Sequence, residues 1–152
     1  MDPLKTMEIG KTGLYVTQLG YGAASLGGLY KEVTTEKGIS AARRALDLGI
    51  NYFDVAPFYG YGMAEERLGQ ALSNRSRNSF VLSSKVGRII KSVEAPDANS
   101  IFKGTEARDA VFDFSRDGIL RSIEDSLNRL QVEHIDILFI HDPDQHYKQA
   151  IN

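Results

Sequence analysis

Residues 51–60 read "NYFDVAPFYG", from Asn51 to Gly60. Tyr52 and Phe53 lead into Asp54, so an apolar run ends on a carboxylate. An unpaired buried charge is costly, and Asp54 therefore needs a partner or a task. Pro57 discourages a helix through the following Phe58, Tyr59 and Gly60. The stretch is read as a buried strand that opens into an aromatic loop.

Working outward, the same kind of strand recurs. "FVLSSK" (80–85) is apolar and ends in two hydroxyls and Lys85, and "IDILFI" (135–140) is apolar apart from Asp136 and ends at His141. The second is expected to be buried on both faces. Between the strands lie amphipathic helices. "TTEKGISAARRALDLG" (34–49) has Thr34 or Thr35 as its cap, Ile39, Ala42 and Leu46 on one face, and Gly49 as its stop. "AEERLGQALS" (64–73) turns Leu68 and Leu72 inward. "SRDGILRSIEDSLNRL" (115–130) has Ser115 as cap and a core face of Ile119, Ile123, Leu127 and Leu130.

Before these, "MEIGKTGLYVTQLG" (7–20) predicts a hairpin over residues 7–18 around a Gly-Lys-Thr-Gly turn, and "QLGYGAAS" a short strand running into a small-residue loop. Residues 87–114 show weak periodicity and carry Pro96 and Gly104, so they are read as a long loop.

Apolar strands alternating with helices predict an α/β fold with a parallel sheet, either doubly wound or a (β/α)8 barrel. "GYGAASLGG" lacks the G-x-G-x-x-G spacing of a doubly wound nucleotide-binding fold, which weakens that option. The expected architecture is a single domain over residues 1–152, the first half of a TIM barrel. It comprises an N-terminal β-hairpin and then four parallel strands alternating with three helices.

Composition narrows the function. The chain has 152 residues, 42% hydrophobic and 25% charged, with a net charge of −2 and no cysteine. No basic cluster argues for nucleic acid or an anionic membrane. Without cysteine there is no disulfide, thiolate nucleophile or zinc-thiolate site, and no metal is expected. No signal-peptide or bilayer-spanning run is present, so the expected location is cytoplasmic.

Asp54, Lys85 and His141 each end a strand, and the C-terminal ends of parallel strands form the active face of such folds. Taken singly, each is more often a cap, a solvated terminator or a structural histidine. Together with Tyr59 they make a recognisable chemistry. A free tyrosine holds its proton well above neutral pH, and a nearby ammonium stabilises the phenolate. A carboxylate orients that ammonium, and a neutral histidine donates a hydrogen bond to a carbonyl oxygen. The set moves a proton at a carbinol and has no hydride source of its own, so it calls for a nicotinamide cofactor. Tyr61 is the rival for the acid role.

"YFDVAPFYG", "EERLGQAL", "LSSKVGR" and "VEHIDILFIHDPD" resemble the aldo-keto reductases, and the likeness runs over nearly the whole chain. The resemblance implies Tyr59 as general acid/base, Lys85 and Asp54 as the pair that tunes it, and His141 as the group that orients the carbonyl. It places Gly22, Ala23 and Asp54 beside the nicotinamide ribose of NAD or NADP, and His141 with Phe58 beside the substrate. Residues 113–146 resemble the sugar-dehydrogenase branch, close to enzymes of L-fucose-like aldoses, L-galactose and pyridoxal. That branch implies oxidation of an aldose hemiacetal to a lactone, with reduction of a small aldehyde as the other course. The partner expected is a small carbonyl or sugar substrate, together with a homo-oligomer that covers the open half-barrel. The alternative is a truncated, inactive fragment or a non-enzymatic binding or regulatory module. For residues 86–114, with Arg88, Lys91 and Phe102, a substrate-gating lid and an ordered surface excursion stand as equal readings.

Overall fold

The computed structural model describes residues 2–151. Strands β1 (Thr6–Glu8) and β2 (Tyr15–Thr17) form an antiparallel hairpin. The central sheet follows, with β3 (Tyr21–Gly22), β4 (Tyr52–Asp54), β5 (Val81–Val86) and β8 (Ile137–Ile140) parallel and in that spatial order. Helices α1 (Thr35–Asp47), α2 (Met63–Leu72) and α3 (Arg116–Leu130) connect them. This is the α/β order expected of the first part of a barrel.

Local chemistry sets the element ends. Thr34 Oγ1 accepts from Lys37 N at the start of α1, and Ser115 Oγ accepts from Gly118 N at the start of α3. Gly49, at φ +93°, reverses the chain after α1, a conformation that costs glycine little.

Alternation along the strands then sorts side chains into two layers. Phe53, Val55 and Leu82 face the helices and pack with Ala42, Ala45, Leu68, Ala71, Leu72 and Leu130 in the core. Tyr52 and Asp54 lie on the opposite, inner face, and the register Asp54↔Ser83 and Lys85↔Phe139 puts Ser83, Lys85 and Phe139 there too.

Three details depart from the sequence reading. Residues 87–114, read as a long loop, contain two strands, β6 (Arg88–Ser92) and β7 (Arg108–Phe112), which form an antiparallel ribbon with Arg88 opposite Phe112. Strand β8 is not buried on both faces: Leu138, Phe139 and Ile140 are 41%, 47% and 51% exposed. It is the outermost strand of the sheet among the described residues, so nothing covers its far side. In α3 the buried positions are Gly118, Ser122, Ser126 and Leu130, while Ile119, Ile123 and Leu127 are half-buried. Small residues let this helix approach α2, β5 and β6 closely, and Ser122 satisfies its hydroxyl on Ile119 O.

Candidate active site

Inner-face parity brings the strand-end groups together. Gly22 pairs with Asp54, Asp54 with Ser83, and Val86 with Ile140, so successive strands deliver their ends to one mouth. His141 N donates to Val86 O at 3.0 Å, which fixes His141 one step beyond β8 and beside Lys85's strand.

Lys85 Nζ donates to Asp54 Oδ2 at 2.8 Å and to Val55 O at 3.0 Å. The same ammonium stands 4.8 Å from the centre of the Tyr59 ring. Tyr59 and His141 lie edge to face with centroids 6.0 Å apart. The four side chains singled out by sequence therefore meet, with Asp54 and Lys85 still reachable at 29% and 15% side-chain exposure.

Tyr59 is positioned by its backbone. Gly60, at φ +63°, and Gly27 touch main chain to main chain, and a Cβ on Gly27 would lie 2.5 Å from Gly60 N and 2.6 Å from Tyr59 C. The rival Tyr61 is committed elsewhere: its hydroxyl shares a 2.8 Å hydrogen bond with Ser100 Oγ inside the protein.

Sequence reasoning did not find Ser83. Its hydroxyl donates to Asp54 Oδ1 at 2.7 Å and lies 3.1 Å from the Tyr52 hydroxyl, so both oxygens of Asp54 are held. The only signal was position, a hydroxyl two residues before Lys85 and hence on its face.

His141 is 7% exposed, and burial pushes its imidazole down to about 4. Asp142 and Asp54 oppose this shift, while the Arg88 and Lys85 cations reinforce it. At neutral pH the ring is uncharged and can donate one hydrogen bond. Its Nδ1 is buried without a protein partner.

The remaining expected contacts divide. Gly22 is exposed beside Asp54, and a Cβ there would meet nothing within 4 Å, so space lies open next to the carboxylate. Ala23 is fully buried in the core, and its methyl group is not available to a ligand. Phe58 packs edge to face with His141 at 6.0 Å and with Phe102 at 5.2 Å.

Phe102 comes from the tip of the β6–β7 ribbon. That tip is tied down: Tyr30 N donates to Ile101 O at 2.7 Å and Lys103 N to Gly28 O at 2.9 Å. The ribbon thus walls one side of the mouth with fixed backbone hydrogen bonds.

No helix among the described residues is long and apolar enough to cross a membrane. The chain is 37% identical to a D-threo-aldose 1-dehydrogenase of Pseudomonas sp, an alignment covering 88% of this chain and 42% of that protein. It is 41% identical to a pyridoxal 4-dehydrogenase of Microbacterium luteolum, again over 88% of this chain and 42% of the relative. An aldo-keto reductase from Bacillus halodurans, solved in its holo form, superposes with a TM-score of 0.71 at 32% identity, over 97% of this chain and 44% of that one. The chain therefore spans about two fifths of the length of these curated relatives. Residues 18–150 match the aldo/keto reductase family, and with the strand order and these relatives they show that the chain belongs to it.

Proposed function

We propose that this chain carries the proton-transferring part of an NAD(P)-dependent oxidoreductase site, with Tyr59 as the general acid/base. The observation that carries the reading is the Lys85 ammonium, held by Asp54 Oδ2 and Val55 O and set against the Tyr59 ring. A fixed cation beside a phenol stabilises the phenolate, and a fixed carboxylate keeps that cation charged and aimed.

The residues suit the nicotinamide ribose end of such a cofactor. Gly22 leaves room beside Asp54, whose carboxylate remains partly exposed. A bound nicotinamide would supply the hydride acceptor. Tyr59 takes the proton of a carbinol hydroxyl as the carbon–hydrogen bond breaks and the carbonyl forms. His141, uncharged, donates a hydrogen bond to that oxygen, and Phe58 bounds the substrate's other side. Run backwards, the same groups protonate an aldehyde oxygen.

For the substrate we favour a cyclic hemiacetal oxidised to a lactone. Aldoses and pyridoxal, named in the two relatives, both form internal hemiacetals, and a hemiacetal presents a carbinol hydroxyl without prior hydration. The test is steady-state oxidation of L-fucose and L-galactose with NAD+ and with NADP+ by the protein carrying this chain. Tyr59→Phe is expected to lower kcat by about 10²–10⁴-fold, the range for a positioned acid/base group. Equal rates for parent and variant would remove Tyr59 from the mechanism. Absence of dinucleotide binding by calorimetry would favour a non-enzymatic module.

A further inference from the structure

Arg88 sits where no substrate contact requires it, yet it is among the most enclosed cations of the chain. It is 7% exposed, and its guanidinium lies between two rings, 4.1 Å from the centre of Phe58 and 4.0 Å from that of Phe112. Arg88 Nη2 donates to Asp142 Oδ2 at 2.6 Å. The same carboxylate oxygen is 3.7 Å from His141 Nε2. One anion thus stands between a permanent cation and the imidazole of the site.

Two ring faces fix the plane of the guanidinium, so its edge is aimed at Asp142. The Arg88 cation offsets part of the attraction that the Asp142 carboxylate exerts on a charged imidazole. We propose that Arg88 is a positioning residue that claims the carboxylate of Asp142 and so keeps His141 an uncharged hydrogen-bond donor. It does so while clamping Phe58, the ring against which His141 packs at 6.0 Å.

The groups facing His141 are Asp142 beside it, Arg88 from β6, Lys85 from β5, Asp54 from β4 and the Tyr59 ring from the loop after β4. Burial is the first cause of the neutral ring. Lys85 and Asp54 are bonded to each other, which leaves the pair formed by Arg88 and Asp142 as the charge balance that acts on the ring beside that burial. Without Arg88, Asp142 becomes the anion of His141 and favours the imidazolium. A charged His141 adds a second proton donor to the site and competes with Tyr59 for the substrate oxygen.

The inference rests on the reading of His141 as the neutral donor of the proposed reaction, but its test needs no turnover. The protonation midpoint of His141 is followed by the NMR shift of its imidazole carbon-bound proton in the full chain, with His141→Asn used for assignment. Arg88→Met is expected to raise the midpoint by about one unit, as losing a neighbouring cation and gaining a free anion does. At about pH 5 the parent ring stays largely neutral and the variant ring is substantially charged. Adding Asp142→Asn to Arg88→Met is expected to return the midpoint to the parent value or below. If Arg88→Met does not fold, Arg88→Gln, which keeps a donor and an apolar stem, is expected to shift the midpoint upward in the same sense. An unchanged midpoint in the folded variant overturns the proposal, and so does a shift that survives Asp142→Asn. If the parent turns over substrate, the acid limb of kcat/KM moves up in pH with Arg88→Met. A parent without turnover sinks the proposed function and leaves the titration to decide the role of Arg88.

Discussion

At the scale of single residues, the site is a chain of fixed charges and hydroxyls. Tyr52, Ser83, Asp54 and Lys85 are linked in sequence by contacts of 3.1, 2.7 and 2.8 Å. Ser83 is fully buried, so its hydroxyl has no water to fall back on when Asp54 is absent or moved. We expect Ser83→Ala to destabilise the protein by about 1–2 kcal/mol, measured by urea unfolding, since a bond to a charged group is worth more than a neutral one and Asp54 is partly solvated. The same change is expected to lower kcat more than it raises KM, because Asp54 loses its orientation while substrate contacts remain. A stability change below about 0.3 kcal/mol would show that Ser83 does not hold Asp54. Asp54, Tyr59, Lys85 and His141 were legible because each stands at or just past the end of an apolar run. Ser83, Arg88 and Asp142 were not, because their parts depend on which residues face each other across strands, and no single sequence displays that register.

At the scale of elements, the loop that carries Tyr59 is placed by a contact between two glycines. A Cβ at Gly27 would lie 2.5–2.8 Å from Gly60 N and from the carbonyl group of Tyr59, all backbone atoms that cannot swing aside. Gly27→Ala should therefore push the loop outward, costing about 1–3 kcal/mol as overpacking does and lowering kcat through the displaced phenol. Gly22→Ala is the control, because its Cβ meets nothing and its backbone is extended. Its stability should stay within about 0.5 kcal/mol of the parent, with a raised KM for the dinucleotide if that space receives the nicotinamide ribose. Thermal unfolding together with cofactor titration distinguishes the two glycines, and equal effects would contradict the geometry. Periodicity predicted α1, α2, α3 and the strands ending at Asp54 and Lys85, since helix and strand spacing follow from which face is buried. It missed the β6–β7 ribbon. "RIIKS" and "RDAVF" mix charges with apolar residues irregularly, because Arg88 at one end of the ribbon packs on the Phe58 ring of the site while the other end is solvated.

At the scale of the whole molecule, the sheet ends on its most apolar strand. "IDILFI" reads as buried on both faces, yet burial is a property of neighbours as well as of sequence. Among the described residues β8 pairs only with β5. Phe139 lies on the inner face opposite Lys85, while Leu138 and Ile140 face the helix side, where Leu120 of α3 is also 45% exposed. Ile9, Leu14, Tyr52, Ile137, Leu138 and Phe139 line an open groove of about 740 Å³ beneath this strand. An exposed, apolar edge strand with unpaired backbone groups templates further pairing. Residues 1–152 taken by themselves are therefore expected to self-associate through β8, giving a species larger than 16.8 kDa by light scattering. Phe139→Lys should reduce that association, since a charge on an edge strand opposes docking of another strand while leaving the core of Phe53, Leu68 and Leu82 untouched. A monodisperse 16.8 kDa species for the parent chain would sink this expectation, and association unchanged by Phe139→Lys would move it to another surface.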